Sequence, residues 1–314
     1  MSSEKRKNKC IVICGPTASG KSDLAITLAQ ELGGEIINAD SMQIYKELEI
    51  LTSRPDRNDL KTVPHKLFGV RKIINPCSVS IWNNLAQKAI ENAVSRGCVP
   101  IVCGGTGMYI KYLSTKLATV PNIPADVRLM TREKLMKLGN EKFYQELVKL
   151  DPQMEGKIPL GDSQRLVRAW EVFEATGKSV YAWQAVTPSK TDLTVCNILL
   201  MPDREFLYAS CDRRFLGFVD KGALNEAKTI RDLELDPSLP GMKALGLLQL
   251  IDYLEGKINL DAAIERAQQK TRNYAKRQMT WFRNQLNSDY TDHSPHTGRH
   301  ISDILQILIK FLKT

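Results

Sequence analysis

The chain has 314 residues, 43% of them hydrophobic and 25% charged, with no low-complexity tract, which is enough to bury one large core with an inserted subdomain. Its net charge of +9, from 44 basic against 35 acidic residues, suits a phosphate-rich partner, although many enzymes are this basic. Seven cysteines, at 10, 14, 77, 98, 103, 196 and 211, are odd in number and include no Cys-x-x-Cys, so buried reduced thiols in a cytoplasmic protein are expected rather than disulfides or metal sites.

The opening MSSEKRKNK is charged and holds no apolar signal region, and no segment approaches membrane-spanning length, so no membrane partner is expected. Residues 9–14 form an apolar strand-like run that breaks at Gly15. Lys21 to Leu32 carries helical periodicity and stops at Gly33-Gly34, a C-cap signal. EIINA reads as a second buried strand ending at Asp40. A helix is expected from about Leu85 to Ser95, then a third strand, VPIVC, running into GGTGMY and another helix start. Strand and helix alternate, which argues for a parallel sheet with helices on its faces.

From about Val120 to Pro188 no buried strand is visible. Helical stretches at VRLMTREKLMKLG, EKFYQELVKL and SQRLVRAWEVFEATG are punctuated by Pro121, Pro124, Pro152, Pro159 and Gly177, the pattern of a helical insertion. VCNILLM resembles a returning strand, followed by helices that include a long basic stretch from Asp261 to about Gln285. In ISDILQILIKFLKT, residues Ile301, Ile304, Leu305, Leu308 and Leu312 fall at helical spacing and predict a helix packing back on the core. The expected division is a catalytic core from 1–119 and 189–314 with a helical insertion at 120–188.

Gly15-Pro16-Thr17-Ala18-Ser19-Gly20-Lys21-Ser22 fits G-x-x-x-x-G-K-[ST] with a strand before and a helix after. Such a loop turns backbone N–H groups onto phosphate oxygens at a helix N-terminus, with Lys21 adding a full charge and Ser22 placed for a magnesium ion. The fold class is therefore α/β, a P-loop NTPase-like parallel sheet with helices on both faces and a mostly helical inserted subdomain. The loop binds phosphate and is silent on reaction type. Asp40, expected at the carboxyl edge of the sheet, has two readings: a magnesium or proton acceptor, or a turn aspartate before SMQIY. GGTG at 104–107 likewise allows close approach to a ligand or makes a plain turn.

Taken in order, GPTASGKS, NADSMQIYKELEI, PHKLFGV, PIVCGGTGMYIKYL, DPQMEGKIPLGDSQRLVRAWEVFEATGK, DRRF, KALG and TRNYAKRQMTWFRNQ resemble the tRNA dimethylallyltransferases, also called tRNA isopentenyltransferases, over essentially residues 9 to 285. The resemblance implies transfer of a dimethylallyl group from dimethylallyl diphosphate to N6 of adenosine-37, just 3′ of the anticodon, with release of pyrophosphate. It implies Asp40 as general base, Thr17 as donor to the oxygen between allyl carbon and diphosphate, and Arg214 as second cationic clamp. The diphosphate would lie on Gly15 to Ser22 with Mg2+ as cofactor. The tRNA anticodon stem-loop would meet Asp40, Ser41, Met42, Gln43, Thr106 and Arg128, together with Gln164, Arg165, Leu166, Val167 and Arg168. A monomer is expected.

The chemistry suits these residues: a diphosphate leaving an allylic carbon needs concentrated positive charge, and an adenine amine needs a nearby carboxylate as its bond forms. The target base must leave its stack to enter an enclosed channel. The basic stretch carries Arg266, Lys270, Arg272, Lys276, Arg277 and Arg283, some of them suited to tRNA phosphates, while Tyr274, Trp281 and Phe282 fall at packing spacing. The chain departs from the family pattern at Ser210, where arginine is common, at LTSRP, at a shortened INPCSVSIW with Trp82 for phenylalanine, and at Leu247 for tyrosine. His293, His296 and His300 have no cysteine partner beyond Cys211, and zinc is not expected. The rival readings are a small-molecule kinase of the P-loop class, an adenylate isopentenyltransferase acting on free nucleotide, and a nucleic-acid binder with a vestigial loop.

Overall fold

Strand β1 (Lys9–Cys14) turns Ile11 and Ile13 into one apolar cluster and Cys10, Val12 and Cys14 into another, so both its faces are covered. A strand buried on two sides belongs inside a parallel sheet. The computed structural model, which describes residues 9–113, 115, 120–185, 192–295 and 301–314, has β1 there. Strands β2 (Gly34–Asn38), β3 (His65–Lys66), β4 (Val99–Gly104), β5 (Thr194–Leu200) and β6 (Tyr290–Asp292) complete one six-stranded sheet. Its order is β3-β2-β4-β1-β5-β6, with every pair parallel. This is the α/β architecture expected.

On one face lie helix α1 (Lys21–Leu32) and, from the far end of the chain, the helix Ile301–Lys313, whose Ile304, Leu308 and Leu312 join Leu24 and Leu28 over Ile11 and Ile13. That terminal helix docks as its spacing predicts, and each fully buried Ile or Leu contributes roughly 2 kcal/mol. Between them in sequence come α2 (Arg57–Thr62), α3 (Val79–Ser95) and α4 (Gly107–Leu113). Then follow α5 (Ala125–Leu150), α6 (Ser163–Thr176) and α7 (Val180–Ala185). The later helices are α8 (Arg204–Asp220), α9 (Ala223–Arg231), α10 (Leu247–Leu254) and α11 (Leu260–Gln285), making Ile301–Lys313 α12. Residues of α3, α4 and α8 to α11 fill the cluster on the opposite face.

Three features differ from expectation. Helix α3 starts at Val79, not near Leu85, because the Ser78 hydroxyl accepts the Ile81 N–H at 3.2 Å and caps it. β2 ends at Asn38, leaving Asp40 in the turn beyond it. The two edge strands β3 and β6, of two and three residues, are too short to show a period in sequence.

Contacts divide the chain into two units, Met1–Ser114 with Thr191–Thr314, and Thr115–Lys190. The second unit has its own core of Phe143, Leu147, Met154, Ile158, Leu166, Ala169 and Trp170. Its long helix α5 breaks its helical geometry at Gly139 (φ 69°, ψ 169°), between the two helical stretches read from the sequence. All seven cysteines are free, five of them buried. Among the described residues no helix is long and apolar enough to cross a membrane. His293 Nδ1 lies 2.9 Å from the Met201 carbonyl oxygen, while His296 and His300 fall outside the described residues.

Candidate active site

The loop after β1 is shaped by its neighbours. Gly15 has φ 149°, and a Cβ there would run into the Leu200 carbonyl at the end of β5. Ala18 also adopts positive φ, at 63°, and Gly20 precedes α1. The first turn of α1 thus opens toward the loop with its N–H groups unshared by the helix, a ready anion site. Lys21 Nζ donates to the Pro16 carbonyl oxygen at 2.6 Å, folding the side chain back over the loop. Burial holds the Lys21 ammonium below its ordinary range, and the Arg214 charge pushes the same way against the pull of Asp40. Beside it, burial raises the Cys103 thiol to about 12, leaving it inert.

Arg214 comes from α8 and its Nη2 donates to the Thr17 hydroxyl oxygen. Two residues earlier, Asp212 receives Arg272 Nη1 from α11 at 2.7 Å on both carboxylate oxygens, which holds α8 in place. The neighbouring Arg213 Nη2 reaches the Ser210 hydroxyl at 3.4 Å. A cation therefore stands beside the position where the family pattern has arginine.

Asp40 sits in a tight turn. Asn38 Oδ1 accepts its N–H at 2.7 Å, and Asn38 Nδ2 donates to its carbonyl oxygen at 3.0 Å. Its carboxylate Oδ1 accepts the Met42 N–H at 2.8 Å, so the turn-aspartate reading is correct as far as that oxygen goes. Oδ2 takes no hydrogen bond from any described residue, leaving one oxygen for chemistry. Thr106 supports the turn from the loop after β4: its hydroxyl oxygen accepts the Ser41 N–H at 2.9 Å and its own N–H donates to the Ala39 carbonyl oxygen at 3.2 Å. Gln43 Nε2 donates to the carbonyls of Thr52 and Ser53 at 2.8 and 2.9 Å. The Glu226 carboxylate, from α9, accepts the N–H groups of Glu49, Ile50 and Leu51 at 2.8, 2.7 and 3.0 Å.

Thr17, Lys21, Ser22, Asp40, Gln43 and Arg214 all line one cavity of about 960 Å3, which Arg54, Arg213 and Lys221 make more cationic. The exposed Ser22 hydroxyl and Asp40 Oδ2 are hard oxygen donors of the kind magnesium takes, and both open on this cavity. Among the described residues no cluster of three or more His, Cys, Asp or Glu could hold a metal ion.

One group in this site went unread in the sequence. Gln278, buried on α11, accepts the Thr17 N–H on Oε1 at 2.8 Å and donates from Nε2 to the Gly105 carbonyl oxygen at 2.8 Å. It stands among basic residues with no local pattern to mark it. Of the aromatics nearby, Phe282 is in the core, while Tyr274 and Trp281 are only partly buried.

In the helical unit, Asp162 caps α6 and also pairs with Arg165 at 3.2 Å. Arg168 lies 3.7 Å from Glu171 and feels the charge of Arg128. Gln164, Arg165, Arg168 and Arg128 are exposed, and Val167 is partly so. Leu166 differs: its side chain is fully buried in the unit's core, so it anchors the helix and offers no surface.

A family model described as IPP transferase matches residues 43–285. The chain is 44% identical over 282 residues to a tRNA dimethylallyltransferase of Paramagnetospirillum magneticum, covering 90% of each. It is 45% identical over 279 residues to one of Parvibaculum lavamentivorans, covering 88% of each. Among solved structures, the full-length tRNA isopentenylpyrophosphate transferase of Bacillus halodurans superposes with a TM-score of 0.70 at 30% identity, over 98% of this chain and 97% of that one. A eukaryotic dimethylallyltransferase acting on tRNA gives a TM-score of 0.75 at 29% identity, over 88% of this chain and 70% of that one.

Proposed function

The chain belongs to the IPP transferase family, and on that premise we propose that it is a tRNA dimethylallyltransferase. It moves a dimethylallyl group from dimethylallyl diphosphate to N6 of adenosine-37 in the tRNA anticodon stem-loop and releases pyrophosphate. The observation that carries this reading is the pairing of Thr17 with Arg214 on the same cavity as the unengaged Asp40 oxygen. A leaving-group clamp and a base face one cavity.

The diphosphate rests on Gly15 to Ser22, with Lys21 and Arg214 meeting its charge. The Thr17 hydroxyl oxygen already accepts from Arg214, which leaves its own proton to donate to the oxygen between carbon and phosphorus. N6 attacks the allylic carbon as that C–O bond breaks, and the bonding electrons leave with pyrophosphate. The N6 proton passes to Asp40 Oδ2, a role suited to an oxygen that the turn does not occupy. A magnesium ion bound through Ser22 and the diphosphate would further neutralise the leaving group.

The adenine reaches the cavity only by leaving its stack. Ser41, Met42, Gln43 and Thr106, beside Asp40, would meet the flipped nucleotide, since the Thr106 hydroxyl still has a proton to give. Arg128, Gln164, Arg165 and Arg168 would meet the anticodon loop, with Val167 beside them. The free cysteines suit a reducing, cytoplasmic setting.

The test is incubation with dimethylallyl diphosphate, magnesium and an unmodified tRNA, followed by digestion and mass spectrometry for the prenylated nucleoside. Transfer onto AMP but not onto tRNA, or ATP hydrolysis with no prenylation, overturns the proposal.

A further inference from the structure

Helix α11 does two jobs on two faces. Its outer face exposes Arg266, Lys270, Lys276, Arg277 and Arg283 to solvent. Its inner face reaches the parts of the cavity that the chemistry needs held in register. Arg272 and Gln268 grip Asp212, two residues before Arg214, with Gln268 Nε2 donating to the Asp212 carbonyl at 3.1 Å. Gln278 is placed at the joint between the leaving-group side and the base side.

We propose that Gln278 is a positioning residue for prenyl transfer, fixing the separation between the Thr17–Arg214 pair and Asp40. The proposal rests on the prenyl-transfer reading above. The joint has two halves. Through Oε1 the carboxamide holds the backbone of Thr17, the residue that would donate to the breaking C–O bond. Through Nε2 it holds the Gly105 carbonyl, one residue before Thr106, which in turn holds Ser41 next to Asp40. The fit is close: a Cβ at Gly105 would lie 2.5 Å from Gln278 Nε2. A neutral carboxamide is the group required, since it must accept and donate at once without adding charge beside a diphosphate.

Such a brace acts on geometry, and its two hydrogen bonds involve neither Lys21 nor Arg214, the cations that meet the diphosphate. Gln278→Met keeps the volume and removes both hydrogen bonds. We expect pyrophosphate affinity and tRNA affinity to stay at the wild-type values while the single-turnover rate of prenyl transfer falls roughly 100-fold, the size of effect that a displacement of about 1 Å produces. Gly105→Ala, which pushes on the same carboxamide from the other side, should lower the rate too. In the double variant the two losses should not add, because they break one joint.

Three measurements decide the matter: pyrophosphate and tRNA binding by calorimetry, single-turnover rate with saturating substrates, and thermal midpoint. A rate equal to wild type in Gln278→Met overturns the proposal. So does a loss explained wholly by weaker pyrophosphate binding, or additive losses in the double variant. If Gln278→Met does not fold, Gly105→Ala alone decides: an unchanged saturating rate in a folded protein overturns it. Failure of wild-type protein to prenylate tRNA would instead sink the functional reading on which the proposal stands.

Discussion

Asn38 grips the backbone of Asp40 on both sides, accepting its N–H at 2.7 Å and donating to its carbonyl at 3.0 Å. The carboxylate is thereby presented from a fixed turn, with one oxygen spent on Met42 and the other open. Asp40→Asn keeps the acceptor for Met42 and removes the proposed base. Turnover should fall about 100- to 10,000-fold, with thermal stability and tRNA affinity preserved. Steady-state kinetics beside a tRNA binding curve checks this, and turnover within the wild-type range would remove Asp40 from the chemistry.

Glu226 satisfies three successive backbone N–H groups, those of Glu49, Ile50 and Leu51, in the segment that walls the cavity. Glu226→Ala leaves them without this acceptor in a partly buried turn. The expected loss of stability is about 2 kcal/mol in urea unfolding. Pyrophosphate affinity should weaken as well, because the wall loosens. A variant as stable as wild type would mean that water replaces the carboxylate fully.

Burial and the charge of Arg214 lower the Lys21 pKa. Below that lowered value the ammonium is charged and attracts diphosphate; above it the attraction is gone. Pyrophosphate affinity should therefore fall with rising pH before an ordinary lysine would titrate. The folded state holds this proton less tightly than the unfolded chain, so the residue's contribution to apo-protein stability rises with pH across the same window. Calorimetry from about pH 7 to pH 10 on wild type and Lys21→Arg isolates the effect, since arginine stays charged throughout. Identical profiles for the two proteins would refute it.

Trp82 stacks on Tyr109, with ring centroids 4.3 Å apart and planes within 8°, and its Nε1 donates to the Asn38 carbonyl oxygen at 2.8 Å. Trp82→Phe keeps a stacking ring and orphans a buried acceptor behind Asp40. Stability should drop by roughly 2 kcal/mol, with prenylation slowed less than in Asp40→Asn. Chemical denaturation measures the first and single-turnover kinetics the second; equal stability would mean that Asn38 finds another donor.

What was legible in the sequence was local. The loop from Gly15 to Ser22 is a contiguous pattern with its strand and helix attached, and the alternating elements set the parallel sheet. Asp40 could be placed near the sheet edge, yet its support by Asn38, Thr106 and Ser41 could not, because those bonds depend on the turn's conformation and on β4. Arg214 was legible only through family resemblance: 197 positions separate it from Thr17. Gln278 and Glu226 were unreadable for the same reason, each being a polar side chain whose partners are backbone groups 261 or 175 to 177 positions away. Leu166 shows the reverse error. Membership in a motif does not say which way a helical side chain points, and the apolar spacing of α6 turns it inward.

The contact between Trp281 and the loop after β4 gives the protein an optical reporter of its own. A Cβ at Gly107 would overlap the Trp281 indole, so that ring lies directly against the backbone following Thr106. The other three tryptophans are seated elsewhere: Trp82 is sealed against Tyr109, and Trp170 and Trp183 belong to the helical unit. The difference in emission between wild type and Trp281→Phe therefore isolates light from the indole that lies against Gly107. Under the proposed function, loading of dimethylallyl diphosphate or tRNA beside that backbone should change this signal, and stopped flow would time it with no label attached to either substrate.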